Sequence, residues 1–412
     1  MTASAEVPIS ARTQTLVYLT SIFTGSQSVI VAVVMPLWAL ELGASPLMIG
    51  VIISARQVLV VTLSIYGGSF LDEFGSRRTI VILGFAGAAL WMMFPAMPVV
   101  WAAIAIQLIS GFVETTSWMG SQALLGTTLQ GLPAYAGRFT AAARIGSSTG
   151  PILIGLAWDY VGPFAAFGCL AVWAVLGSVA ALLLPDDTPA PKPAAEKKEK
   201  SEPVDKGRFL PKVSDYTSTF RLLALAPVAL VIMNTFFRQA GSGIQNSFYG
   251  VWLDQIGFSA SIIGLLIGLS NGVSAFAALS IGFLTRFMRG HTLLLIATLV
   301  AVVSIAITPL LGTVFSLLVI AICLRGIGQG INFPMMLSIS SQAVLPNQQG
   351  RVAALRISFN KFGGAIVPLA MGALAEVIGI ENSFYAMGVL GVITLCAVGV
   401  WVSRSPAFKN DP

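Results

Sequence analysis

Apolar runs of about twenty residues, separated by short polar turns, make up almost the whole chain. That is the length a helix needs to cross the hydrocarbon core of a bilayer. The pattern predicts helices 1–6 near 15–40, 47–70, 79–97, 99–125, 139–161 and 163–184, and helices 7–12 near 219–250, 260–284, 291–311, 314–344, 352–378 and 382–403. One break is long: residues 185–218 hold Pro185, Pro189, Pro191, Pro193, Pro203 and Pro211 and the charged run Glu196–Lys200. Such a stretch cannot bury a core and reads as a flexible cytoplasmic linker. The expected organisation is a six-helix unit over 1–184, the linker over 185–218 and a second six-helix unit over 219–412. The fold class is an all-α membrane protein with twelve transmembrane helices.

Polar residues inside the spans fall on stripes. In helix 4, Gln107, Gly111, Glu114, Trp118 and Ser121 advance by three or four residues and share one helical face. Helix 7 repeats the steps with Asn234, Arg238, Gly241, Gln245 and Phe248, and helix 10 with Arg325, Gln329, Asn332 and Met336. Such stripes line a polar cavity or join helices by hydrogen bonds. Charges inside a span are costly and need a partner or water; the spans hold Arg56, Glu114, Arg144, Arg238, Arg325, Arg356 and Lys361. Arg144 and Arg356 are near helix starts and read as reaching the interface. Arg56 and Lys361 are deeper, either paired with a neighbouring helix or facing a cavity.

Composition narrows the class. With 56% hydrophobic and 10% charged residues the chain is too apolar for a soluble domain. Its net charge of +6 is spread over short loops, which excludes a nucleic-acid surface. Basic residues such as Arg12, Arg77, Arg78, Arg138, Arg286, Arg289, Arg351 and Arg404 gather at the termini and even-numbered turns, whereas Glu41, Asp159, Asp254, Glu376 and Glu381 mark the odd ones. Both ends are therefore expected in the cytoplasm, with the chain in the plasma (inner) membrane. The first apolar run lacks a cleavage site and reads as a retained helix. Cys169, Cys323 and Cys396 read as small buried apolar residues. One histidine, His291, and no phosphate-binding loop leave no enzyme, cofactor or metal centre to expect.

The turn Gly68-Ser-Phe-Leu-Asp72-Glu-Phe-Gly75-Ser-Arg77-Arg78 resembles the loop between helices 2 and 3 of the major facilitator superfamily. Its surroundings recur: Trp38, Gly43, Ser45, Ile49, Gly50 and Gly68 return as Trp252, Gly257, Ser259, Ile263, Gly264 and Gly282, 252 − 38 = 282 − 68 = 214 residues on. Helix 5 carries Gly146, Gly150, Pro151 and Gly155, similar to the glycine–proline motif of proton-linked antiporters in that superfamily, with Ile154 where a glycine is usual. Gln107 stands where those antiporters have an arginine, so their arginine-dependent relay is not carried over.

The resemblance implies two six-helix pseudo-repeat bundles around a central cavity lined by helices 1, 4, 7 and 10. It implies a proton-coupled secondary transporter of a small organic, anionic or amphipathic molecule, acting as a monomer in the lipid bilayer with protons as coupling ion. Arg238 and Arg325 would hold the substrate with Gln107, Gln245, Gln329, Asn332, Trp118 and Phe248. Glu114 would exchange the proton, and Asp72, Gly75, Arg77 and Arg78 would latch the bundles on the cytoplasmic side. The alternatives are an antiporter exporting lipophilic cations, and a transporter-like receptor or scaffold signalling through the linker.

Overall fold

In the computed structural model, which describes residues 9–130, 133–185, 221–344 and 348–408, the apolar runs are helices. The first half comprises α1 (Ala11–Glu41), α2 (Pro46–Phe74), α3 (Ser76–Ala96), α4 (Val100–Thr127), α5 (Pro133–Val161) and α6 (Pro163–Leu182). In the second, α7 runs as Ala226–Ile244, a π turn over Gln245–Tyr249, and Gly250–Gln255; α8 is Ala260–Leu279 with a short extension Ile281–Leu284. They are followed by α9 (Gly290–Ala306), α10 (Phe315–Ala343), α11 (Gln349–Ile378) and α12 (Ile380–Arg404). Among the described residues, nine helices are long and apolar enough to cross a membrane. Polar residues dilute α5 and α7, and α9 is a shorter apolar helix. The expected linker, apart from Pro185, and the side chain of Asp72 lie outside the described residues.

Two expectations need correction. The charged turn is narrower than its sequence suggests: α2 runs helically through Asp72 to Phe74, so the reversal rests on Gly75 alone, at φ +79°, and no side chain caps α3. Only glycine takes that conformation without strain. The cysteines are not all buried, since Cys169 and Cys396 are exposed on the outer faces of α6 and α12. An apolar thiol loses nothing there against lipid.

Within the first half α1 packs on α4, α5 and α6, and α3 on α4 and α6; in the second, α10 packs on α7, α8 and α9. The two most extensive crossings between the halves are α5 on α8 and α2 on α11, and α1 also touches α7 and α8. The largest hydrophobic cluster, with Trp38, Trp91, Phe94, Phe167, Trp252 and Phe384, draws on both halves. These residues sit at the helix ends opposite the chain termini. Toward the termini the cores separate, one around Leu16, Ile80, Leu124 and Phe139, another around Leu230, Leu294, Met336 and Val402. The halves are thus welded on the far face and part toward the chain-end face.

Candidate functional site

Two related helix crossings seal the far face. A Cβ on Gly264 of α8 would fall 2.1 Å from the Pro151 carbonyl oxygen of α5, and one on Gly155 2.3 Å from that of Ala260. On the other side a Cβ on Gly50 of α2 would meet the Pro368 carbonyl oxygen of α11 at 2.5 Å, and one on Gly372 that of Pro46 at 2.7 Å. Backbones approach this closely only where side chains are absent. A carboxylate completes each crossing. Asp159, ending α5, accepts from the backbone N–H of Ala260 at 2.9 Å and of Ser261 at 2.8 Å and from the Ser261 hydroxyl. Glu376, ending α11, accepts from the Leu47 N–H at 3.0 Å. Each acid satisfies free donors at the start of the facing helix, where its charge also suits the dipole. The offsets 368 − 151 = 376 − 159 = 217 and 264 − 50 = 214 make the two crossings copies of one design.

Beneath this seal α1, α2, α4, α7 and α11 line a small cavity of about 50 Å³. Its polar wall is Arg56, Gln57, Gln107, Gln239 and Asn246, with Val31, Met35 and Pro368 among the apolar lining. Arg56 of α2 forms an ion pair with Glu114 of α4, the two side chains being 13% and 7% exposed. Lys361 of α11 acts on both electrostatically from the second half.

Arg238, Arg325 and Arg356 have no carboxylate partner among the described residues. Among the described residues Arg56–Glu114 is the one ion pair. Arg325 is buried; its Nη1 donates to Ser270 Oγ at 3.3 Å and its Nη2 to the Gly241 carbonyl at 3.4 Å, while its Nε has no acceptor. Arg238 Nε and Arg356 Nη1 are likewise enclosed and unmatched. Arg238 lies within electrostatic reach of Arg144, Arg325 and Arg356, and Arg356 sits over the Phe333 ring at 4.8 Å. Buried guanidinium donors without acceptors suit an anion.

The sequence model of the Major Facilitator Superfamily matches residues 17–237 and again residues 231–412. This chain belongs to the major facilitator superfamily. It is a membrane transporter of that superfamily. The transporter is 24% identical over 357 residues to the uncharacterized MFS-type transporter YqjV of Bacillus subtilis, covering 86% of this chain and 83% of that protein. It is 28% identical over 145 residues to the probable anion transporter 5 of Arabidopsis thaliana, covering 35% and 34%. Its fold is that of the nucleoside transporter NupG (TM-score 0.73, 15% identity, 97% of this chain and 100% of that one) and of a bacterial homologue of the lysosomal transporter Spinster (0.75, 14%, 99% of each).

The site residues expected in this transporter from its sequence separate into groups. Glu114, Gln107 and Arg56 come together; Gln107 accepts from the Ser110 hydroxyl at 3.0 Å and lines the cavity. Arg238 and Arg325 are neighbours, and Gln329 donates to the Arg238 carbonyl at 3.5 Å. Asn332 is taken up elsewhere, accepting from Asn234 Nδ2 at 3.3 Å and Thr298 Oγ1 at 2.7 Å in a network that ties α7, α9 and α10. Gln245 and Phe248 are buried in the π turn of α7, and Trp118 stacks on Phe139 with ring centroids 5.6 Å apart. Gly146 and Gly150 face α1, against the Ile22 carbonyl and the Ile30 side chain, whereas Pro151 and Gly155 face α8. Arg77 donates to the Ala181 and Leu182 carbonyls of α6, at 3.2 and 2.7 Å, within its own half. Arg78 and Gly75 sit at the same reversal.

Sequence reasoning missed Gln57, Gln239 and Asn246. On α7 the cavity face is Gln239, Gly243 and Asn246, also at steps of four and three, but one residue on from the stripe that begins at Asn234 and Arg238. Periodicity marks both faces alike, and only the packing partners decide which one meets the cavity. Asp159 and Glu376 were legible only as loop charges.

Proposed function

We propose that this transporter moves a small organic anion by alternating access, with Glu114 exchanging the coupling proton. The observation that carries the reading is the set of buried guanidinium groups without carboxylate partners among the described residues, Arg238 and Arg325 foremost, while Glu114 is already paired with Arg56. A substrate anion supplies the missing acceptors. Protonation of Glu114 releases Arg56, and Lys361, reaching in from α11, links that event to the second half. The amides Gln107, Gln57, Gln239 and Asn246 hydrogen-bond the polar body of the substrate. Two relatives matched over part of this chain, the probable anion transporters 5 of Arabidopsis thaliana and 6 of Oryza sativa, agree with this reading.

In this account the units 1–184 and 219–412 rock against each other with the chain ends in the cytoplasm. The far-face seal opens when the chain-end face closes. Gly75, Arg77 and Arg78, with Asp72, brace the α2–α3 reversal on α6 as that closure forms. A thermal-shift screen of the purified protein against organic anions, organic cations and neutral aromatics, with Arg238→Ala and Arg325→Ala alongside, tests the substrate class. A ligand of the folded state adds about 2.7 kcal/mol at a hundredfold excess over its dissociation constant. Anions are expected to stabilise the wild type and neither variant. Stabilisation by lipophilic cations that ignores both substitutions would assign the substrate to Glu114 instead and make the protein a cation exporter.

A further inference from the structure

Gln57 and Gln239 line the same cavity from opposite halves, one on α2 and the other on α7. Their side chains meet at Gly364 of α11, where a Cβ would fall 3.2 Å from Gln239 Nε2, 3.4 Å from Gln57 Cγ and 3.5 Å from Gln57 Cδ. One turn earlier on α11, Asn360 Nδ2 donates to Gln239 Oε1 at 3.1 Å. That bond decides which end of the Gln239 amide faces a ligand, because the amide has one acceptor oxygen and one donor nitrogen. With Oε1 occupied, Gln239 offers Nε2. Gln57 offers the complement, since its Oε1 is enclosed and has no donor among the described residues. An enclosed amide oxygen left without a donor costs free energy that a ligand N–H would recover. At about 50 Å³ the cavity has room for roughly three or four water-sized groups, the size of one functional group rather than of a whole organic molecule.

We infer that Gln57 and Gln239 form a subsite for a carboxamide or lactam edge, in which Gln239 Nε2 donates to the ligand carbonyl and Gln57 Oε1 accepts from the ligand N–H. The inference rests on the anion reading above and adds a second, uncharged group that the transported anion carries. Asn360 acts through Gln239 as a positioning residue. A ketone or ester supplies the carbonyl without the N–H and leaves Gln57 Oε1 unmatched. Discrimination of this kind is steep, because the penalty falls on a buried polar group of the site left unpaired. Each half holds one end of the edge, so the ligand bridges α2 and α7 through neutral hydrogen bonds.

The test measures binding of benzoate, 3-acetylbenzoate and 3-carbamoylbenzoate to the purified full-length protein at fixed pH and ionic strength. All three carry the same carboxylate; the second adds a carbonyl, and the third replaces its methyl with an N–H donor. 3-Carbamoylbenzoate is expected to bind about tenfold or more tightly than 3-acetylbenzoate, and that margin should fall to about twofold or less in Gln57→Met, which keeps the side-chain length without the acceptor. Asn360→Ala, which frees the Gln239 amide to turn over, should weaken both carbonyl probes relative to benzoate by about fivefold. A loss shared equally by all three probes would make Asn360 merely structural and remove it from the subsite. Equal affinity for the acetyl and carbamoyl probes in the wild type, or a margin untouched by Gln57→Met, overturns the subsite and leaves the anion reading standing. Absence of binding by all three overturns the anion reading itself, and the subsite with it.

Discussion

On α2 the carbonyl of Arg56 lies against Gly111 of α4, and on α8 the carbonyl of Ser270 lies against Gly326 of α10. With 270 − 56 = 214 and 326 − 111 = 215, these are the same crossing in the two halves. The side chains around it are exchanged. In the first half the cation is on α2 and meets Glu114; in the second, serine holds that place and the cation returns from α10, where Arg325 donates to Ser270. Gln329 stands at the Glu114 position (329 − 114 = 215) and Ser110 at the Arg325 position (325 − 110 = 215). Repetition therefore governs backbone contact, and chemistry lies where the repeat is broken. The first half carries a buried ion pair, and the second a buried arginine whose Nε has no acceptor.

Removing one member of the neutralised pair should have the largest effect. Arg56→Ala strands a buried carboxylate and is expected to cost about 3–5 kcal/mol in a reversible detergent unfolding titration. The double variant Arg56→Gln with Glu114→Gln should recover most of that loss. If Arg56→Ala were as stable as the wild type, Glu114 would not depend on the pair and the contrast between the halves would fail.

A smaller effect tests the part of the structure that does repeat. Asp159→Asn and Glu376→Gln each remove a charged cap from the facing helix, worth about 1 kcal/mol, or roughly fivefold in the balance between sealed and open far faces. Asp159 holds three donors and Glu376 one, so Asp159→Asn should open the seal further. Labelling of a cysteine placed at Gln57, in the cavity wall, by a membrane-impermeant thiol reagent from the far side, on a background in which Cys169, Cys323 and Cys396 are replaced, reads the change. Equal labelling in wild type and both variants would make the caps incidental to closure.

The fold was largely legible because its signals are long. Twenty-residue apolar runs and a 214-residue repeat survive local noise, and they placed twelve helices and two halves. The close approach at Gly155 and Pro151 was legible too, since glycine spacing on one face has few other physical causes. The ion pair was half legible: Arg56 and Glu114 each stand out inside a span, but nothing in a linear chain says that α2 rather than α11 meets α4 at that depth. The helix 7 stripe misled about Gln245 and Phe248 because a 3.6-residue period gives a face and not its direction, and the π turn at Gln245–Tyr249 shifts the phase besides. Asn332 satisfied the same polar pattern through a network with Asn234 and Thr298, the alternative use of polar residues in a membrane core.

The central claim, that an anion and a proton move together with Glu114 as the proton-exchanging acid, is tested most directly by flux into proteoliposomes. The substrate would be the anion that best stabilises the protein, with the pH gradient imposed in either direction. The account predicts that an inward proton gradient drives anion accumulation in the wild type, and that Glu114→Gln loses accumulation while retaining exchange of labelled for unlabelled anion. Accumulation by Glu114→Gln at the wild-type rate and with the same pH dependence would contradict it.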